Sequence, residues 1–194
     1  MYGICNLSIV PLRAEPSDKS EMISQVLFGE YFTIVESDKF WSKIKLEFDN
    51  FEGYIDNKQF EIITISEFEN LSNSKSIYSG EIIDFITNEV NDFFTIPLGA
   101  NLPFFNNDSF KLNHKKYQFE GKIIEGSLPK SELIQKAYMY LNTPFLWGGK
   151  TPFGIDCSGF TQMVYQLCGY SLPRNANLQA KQGEVLSFIE ESEP

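Results

Sequence analysis

The sequence predicts a multidomain chain: two small all-β barrels followed by the N-terminal, helical part of an α+β domain. Three observations lead there. Short β-branched and aromatic runs, parted by turn residues, fill the first two-thirds. The spacing of apolar residues turns helical from residue 129. Of the 194 residues, 42% are hydrophobic and 15% aromatic, with 18 Phe, enough to fill several small cores. The expected domains are 1–62, 63–128 and 129–194.

In 1–62, Ile4 to Leu12, Ile23 to Phe28, Tyr31 to Glu36, Trp41 to Phe48 and Gly53 to Asp56 read as strands. Pro16-Ser17-Asp18, Gly29-Glu30, Ser37-Asp38 and Asp49-Asn50 supply the turns. So many short strands in so few residues specify a small barrel or a two-sheet sandwich. In 63–128, Gly80 to Phe85, Phe93 to Pro97, Ala100 to Phe105 and Tyr117 to Ile124 are strand-like. Leu98-Gly99, Asn106-Asn107-Asp108 and Asn113-His114 are turn-like, and the polar stretch Ser66 to Tyr78 holds a short helix or a long connection.

Pro129 to Asn142 reads as a helix, with Ser131 at its start, Glu132 in its first turn and Leu133, Ala137 and Leu141 on one face. A loop rich in Gly and Pro follows, from Thr143 to Gly154. A second helix runs from Cys157 to Cys168, with Phe160, Val164 and Leu167 aligned and Gly169 placed to end it. A third, short helix fits Asn175 to Gln182, closed by Gly183.

The formal charge is −10. Phosphate backbones need clustered Lys and Arg, and the one dense basic run is Lys111 to Lys116, so no nucleic-acid partner is expected. The acid concentrates on the two predicted barrels, where it serves solubility. No apolar run approaches the roughly 18 residues of a membrane span, so no membrane partner is expected either. Met1 to Pro11 lacks a basic start followed by a long apolar stretch, and Cys5, Cys157 and Cys168 cannot all pair. Both features point to a cytoplasmic setting. With one histidine and no C-x-x-C pair, no metal or other cofactor is expected.

The chemistry concentrates in Trp147-Gly148-Gly149-Lys150-Thr151-Pro152-Phe153-Gly154-Ile155-Asp156-Cys157-Ser158-Gly159-Phe160. This stretch puts a cysteine in the first turn of an amphipathic helix. A helix N-terminus carries about half a positive charge, which favours a thiolate, and its free N–H groups can stabilise an oxyanion. Ser158 and Gly159 are small enough to admit a substrate backbone. Cys157 therefore has the setting of a nucleophile. Cys168 sits at the opposite helix end and Cys5 in a strand pattern. The structural alternatives stay open: Cys157 as a small packing residue, Asp156 as a helix cap, Trp147 as loop packing, Arg174 as a surface ion-pair partner.

Leu12-Arg13 followed by Pro16, Gly29-Glu30 before an apolar strand, and Trp41 followed by Gly53-Tyr54-Ile55 resemble bacterial SH3-like domains over about residues 4–60. Residues 63–128 look like a second, more divergent copy. The run Asp156-Cys157-Ser158-Gly159-Phe160, with Trp147-Gly148-Gly149 upstream and Leu172-Pro173-Arg174 downstream, resembles the NlpC-type cysteine peptidases of bacterial cell walls. That resemblance covers about residues 130–194. It implies a papain-like architecture and hydrolysis of γ-D-glutamyl–diamino acid bonds in peptidoglycan-derived short peptides.

The resemblance also implies roles. Cys157 matches the nucleophile, and Asp156 and Ser158 match positions that line the site and contact substrate. Trp147 matches a wall of the cleft, and Arg174 the arginine after Leu-Pro. That arginine is often followed by Asp; here Asn175 removes one negative charge from the place where a substrate amine is held. An aromatic of the first barrel closes the cleft in members that carry such barrels. Phe51, before Glu52-Gly53-Tyr54, is the nearest match and lacks a hydroxyl.

A cysteine peptidase needs a base, which later protonates the leaving amine, and a third group that orients the base. His114 is the sole imidazole and reads as an exposed turn residue beside two lysines. The family places its base on strands after the nucleophile helix, and Glu191-Ser192-Glu193-Pro194 resembles the point before that sheet. These residues are thus expected to hold the nucleophile half of the domain and to be inactive alone. Phe160, Val164 and Leu167 are expected to be exposed, or covered by a second chain or fragment. Two other functions compete. One is a non-catalytic binding protein whose barrels hold a peptide or peptidoglycan. The other is a redox or metal protein using Cys157 and Cys168, which about 16 Å of helix keeps from forming a disulfide.

Overall fold

A computed structural model of the chain describes residues 1–183. The expectation at Glu191 to Pro194 lies outside the described residues. The first unit is one antiparallel sheet of β1 (Tyr2–Ile4), β2 (Ile9–Arg13), β3 (Met22–Leu27), β4 (Tyr31–Ser37), β5 (Trp41–Leu46), β6 (Glu52–Asp56) and β7 (Glu61–Ile63). Its order is β3-β2-β6-β5-β4-β1-β7, which leaves β3 at one edge. Alternation along the strands sends Val10, Leu12, Val26, Phe32, Ile34, Ile44, Leu46 and Ile55 into one core with Cys5. Burial pushes the Cys5 thiol up to about 12. The run Ile4 to Leu12 is broken rather than continuous. Cys5 N–H donates to the Glu30 carbonyl and Gly29 N–H to the Cys5 carbonyl, bending the chain around the Gly29-Glu30 turn.

Thr64 caps α1 (Ile65–Ser72) in a reciprocal capping box with Glu67, and this helix fills the polar stretch after the first sheet. The second unit contains β8 (Ile77–Ser79), β9 (Ile83–Asn88), β10 (Phe93–Pro97), β11 (Ser109–Leu112), β12 (Lys115–Gln118) and β13 (Ile123–Glu125). The order β10-β9-β12-β11 makes a four-stranded sheet, and β13 pairs with β8. Between β11 and β12, Asn113 and His114 stand at φ 45° and 68°, the positive pair that a two-residue type I′ turn requires. Ala100 to Phe105 is not a strand. It stitches the units together, Asn101 N–H donating to the Phe28 carbonyl and Leu102 N–H to the Ile77 carbonyl. The two units share a core in which Ile4, Phe28 and Ile63 pack with Ile86, Ile96, Phe110, Tyr117 and Phe119.

The remaining elements are α2 (Glu132–Tyr138), a ribbon of β14 (Lys150–Thr151) and β15 (Gly154–Ile155), α3 (Cys157–Gln166) and α4 (Ala176–Gln182). The first helix is thus shorter than Pro129 to Asn142. The exposure expected along Phe160, Val164 and Leu167 is corrected for two of the three. Val164 and Leu167 are 5% and 0% exposed, packed with Leu27 of β3 and with Tyr78, Leu98 and Ile124 of the second unit. The β units supply the cover that the sequence reading assigned to another chain. Phe160 alone of the three faces outward, its ring edge-on to Tyr140. Among the described residues no helix is long and apolar enough to cross a membrane.

Candidate active site

Cys157 opens α3, and Asp156 is its N-cap, with an extended backbone and Oδ1 accepting the Gly159 N–H at 2.7 Å. Oδ2 of the same carboxylate accepts the Gly148 N–H at 2.8 Å. One side chain thereby ties the Trp147-Gly148-Gly149 loop to the helix start. Gly148 has φ +77°, and a Cβ there would lie 2.4 Å from the Met22 carbonyl oxygen of β3. At Gly159 a Cβ would meet the Gly149 carbonyl oxygen at 2.3 Å, so the small residue after Cys157-Ser158 lets loop and helix touch.

Arg174 closes the other side. Its guanidinium grips Asp156 through two bonds of 2.7 and 3.0 Å, donates to Ser158 Oγ at 2.7 Å and, through Nε, to Ser24 Oγ of β3 at 3.0 Å. Both members of the ion pair are buried. Burial pushes the Asp156 carboxyl up, but Arg174 and the N–H groups of Gly159 and Gly148 outweigh it and hold the group below its usual 3.8. From α4, Gln179 Nε2 donates to the Ser158 and Pro173 carbonyls.

A cleft of about 630 Å³ brings together every residue singled out in the sequence for this site: Phe51, Trp147, Asp156, Cys157, Ser158, Arg174 and Asn175. Cys157 is exposed, whereas Cys5 and Cys168 are buried. Burial also pushes the Cys168 thiol up. The sequence reading missed Glu21 and Ile23, which line the same cleft from the first unit, and Asn177 and Leu178 from α4. Glu21 Oε1 accepts the Trp147 indole N–H at 2.5 Å. Nothing local in Glu21-Met22-Ile23 announces this, because the docking of two units decides it. Tyr54, of the motif that follows Phe51, lies in β6 opposite Arg13 and Lys43 and does not line the cleft. His114 stands in the β11–β12 turn, 3.5 Å from Glu67 of α1, and no imidazole lines the cleft. Among the described residues no three His, Cys, Asp or Glu side chains cluster to hold a metal ion.

An exposed thiol stands at the first helical position, where the N–H groups of Cys157 and Ser158 have no intrahelical acceptor. Next to it lies a buried Asp–Arg pair, and a β-barrel forms one wall. This is the local setting that a cysteine nucleophile requires. Residues 142–194 match the NlpC/P60 family and residues 12–60 the bacterial dipeptidyl-peptidase Sh3 domain. The C-terminal part is thus similar to the NlpC/P60 peptidases, and the first unit to a bacterial dipeptidyl-peptidase SH3 domain.

Among relatives, the gamma-D-glutamyl-L-lysine dipeptidyl-peptidase of Bacillus subtilis is 47% identical over 53 residues, 27% of this chain and 18% of that protein. The dipeptidyl-peptidase 6 of Lysinibacillus sphaericus is 24% identical over 200 residues, 92% of this chain and 73% of that protein. A crystal structure of an NlpC/P60 family protein from Bacillus cereus superposes with a TM-score of 0.83 at 19% identity, covering 100% of this chain and 80% of that one. That likeness establishes a common fold.

Proposed function

We propose that the chain acts on peptidoglycan-derived short peptides as a cysteine endopeptidase, cleaving γ-D-glutamyl–diamino acid bonds with Cys157 as nucleophile. One observation carries this reading: of three thiols, the exposed one is the thiol that shares a cleft with Trp147, Asp156, Ser158 and Arg174. In this mechanism the Cys157 sulfur attacks the scissile carbonyl carbon. The Cys157 and Ser158 N–H groups hold the developing oxyanion. The amine leaves with a proton, and water then releases the acyl group from sulfur.

The first unit favours short substrates, since Glu21, Ile23 and Phe51 wall one side. Asp156 is neutralised by Arg174, so among the described residues Glu21 is the cleft carboxylate that no cation pairs. It supplies a negative charge for a free peptide amine, which Asn175 does not. The proton acceptor comes from a further segment or second chain. Ile134, Tyr138, Leu141, Phe145 and Phe153 form exposed apolar surface on and after α2, and this supports the reading that such a segment packs there.

The test is cleavage of L-Ala-γ-D-Glu-diaminopimelate by the 194-residue chain and by any longer product of the same gene. Turnover by the longer form alone, abolished by Cys157→Ala, is the expected result. Binding of the peptide by both forms without cleavage would establish the non-catalytic alternative. Turnover by the shorter form would place the base within these residues, and His114 would be the first to substitute.

A further inference from the structure

Lys150 is the most deeply buried cation of the chain, and the site described above does not use it. Its Nζ lies 2.8 Å from Glu30 Oε1, with the two side chains 1% and 7% exposed. Glu30 belongs to the first unit, and its second oxygen accepts the Leu27 N–H at 2.8 Å. The Lys150 N–H donates to Gln25 Oε1 of β3 at 2.7 Å. Lys150 thus meets the barrel through both its backbone and its side chain.

What Lys150 holds in place is the nucleophile segment. Lys150 opens β14 and faces Ile155 across the ribbon, one residue before the cap of α3. Its neighbour Gly149 accepts the Asp156 N–H at 3.3 Å through its carbonyl. Trp147 and Gly148, on its other side, reach Glu21 and Asp156. An apolar pair of similar volume would satisfy packing at this place as well as an ion pair does. A charge pair adds direction, because only one placement of the loop brings Nζ to the carboxylate.

We propose that Glu30 and Lys150 are a positioning pair, through which the first barrel fixes where the loop 147–156 presents the Cys157 thiol. This rests on reading Cys157 as the nucleophile. A pair that acts at a distance does so through placement, and a misplacement of about 1 Å can cost up to about 10²-fold.

The experiment compares the wild-type chain with Glu30→Leu/Lys150→Met, which removes both charges, and with Lys150→Arg, which keeps both. Alkylation of Cys157 by iodoacetamide is followed against pH by mass spectrometry. Amide exchange is measured across 147–156 and in β4 and β5. The expected result is a folded double variant, its β4 and β5 amides still protected. Its Cys157 should label about tenfold more slowly or with a displaced pH midpoint, and exchange in 147–156 should accelerate. Lys150→Arg should keep the wild-type labelling profile and exchange. A folded double variant with the wild-type labelling profile and wild-type exchange overturns the proposal. If wild-type Cys157 labels no faster than Cys5 or Cys168, the nucleophile reading fails. The exchange in 147–156 then decides the positioning role by itself, acceleration supporting it and no change overturning it.

Discussion

The two β units meet the Cys157 helix and its flanking loops by different means. Beside the apolar contact of Leu27, the first reaches them with polar side chains: Glu21 to Trp147, Ser24 to Arg174, Gln25 and Glu30 to Lys150, Asp49 to Gln162. It also lines the cleft with Ile23 and Phe51. The second unit lines none of the cleft and meets α3 through Leu98, Tyr78 and Ile124, with Gly99 against Met163. Apolar contact is non-directional and scales with area, whereas hydrogen bonds and ion pairs require particular placements. The first unit should therefore govern geometry at Cys157, and the second mainly stability.

The comparison breaks if a change on the second side alters the chemistry. The largest expected effect lies on the first side. Lys150→Met alone leaves Glu30 buried without a counter-ion and should cost about 3–5 kcal/mol in urea denaturation. On the second side, Leu98→Ala should cost about 2–5 kcal/mol by the cavity it leaves. The Leu98→Ala variant should keep the wild-type pH profile of Cys157 alkylation. A displaced profile would mean that the second unit also sets geometry.

An acid limb separates the two sides further. The folded Asp156 carboxyl titrates below its usual 3.8, so it contributes stability that is complete above that value and lost as pH falls through the lower, folded value. Asp156→Asn should flatten this part of a stability-versus-pH curve and leave the rest unchanged in shape. A wild-type acid limb in that variant would assign the acid response to other carboxylates. The smallest effect is expected for Phe51→Ala. It should weaken peptide binding by about 0.5–1.5 kcal/mol in calorimetry, the worth of one aromatic contact, while lowering the melting temperature least of the four.

Much of this organisation was legible in the residues, because local rules dominate there. Turn residues and alternation marked β2 to β6, and Asp156, Cys157 and Gly169 marked both ends of the nucleophile helix. The site residues were legible as a set because they cluster in one stretch and its flanks. Three things were not. Ala100 to Phe105 has strand-like composition, yet its backbone bonds to two other segments, so pairing overrode propensity. β11, Ser109–Leu112, was hidden among polar and basic residues because one face of its hairpin is solvated. Glu21, Ile23 and the Glu30–Lys150 pair depend on how separate units dock, and no sequence spacing encodes a contact across 120 positions.

The edge position of β3 has a consequence for what the first unit is by itself. Trp147, Gly148 and Lys150 lie in order along Glu21, Met22 and Gln25, so the free side of the sheet is occupied by the loop that leads to Cys157. An uncovered edge strand recruits other strands, including copies of itself. Severed after Ile63, the barrel would carry that uncovered edge, Glu30 without its lysine and Phe28 without the rings of Phe110 and Tyr117. By itself the barrel is expected to associate through that edge rather than to behave as a self-sufficient unit.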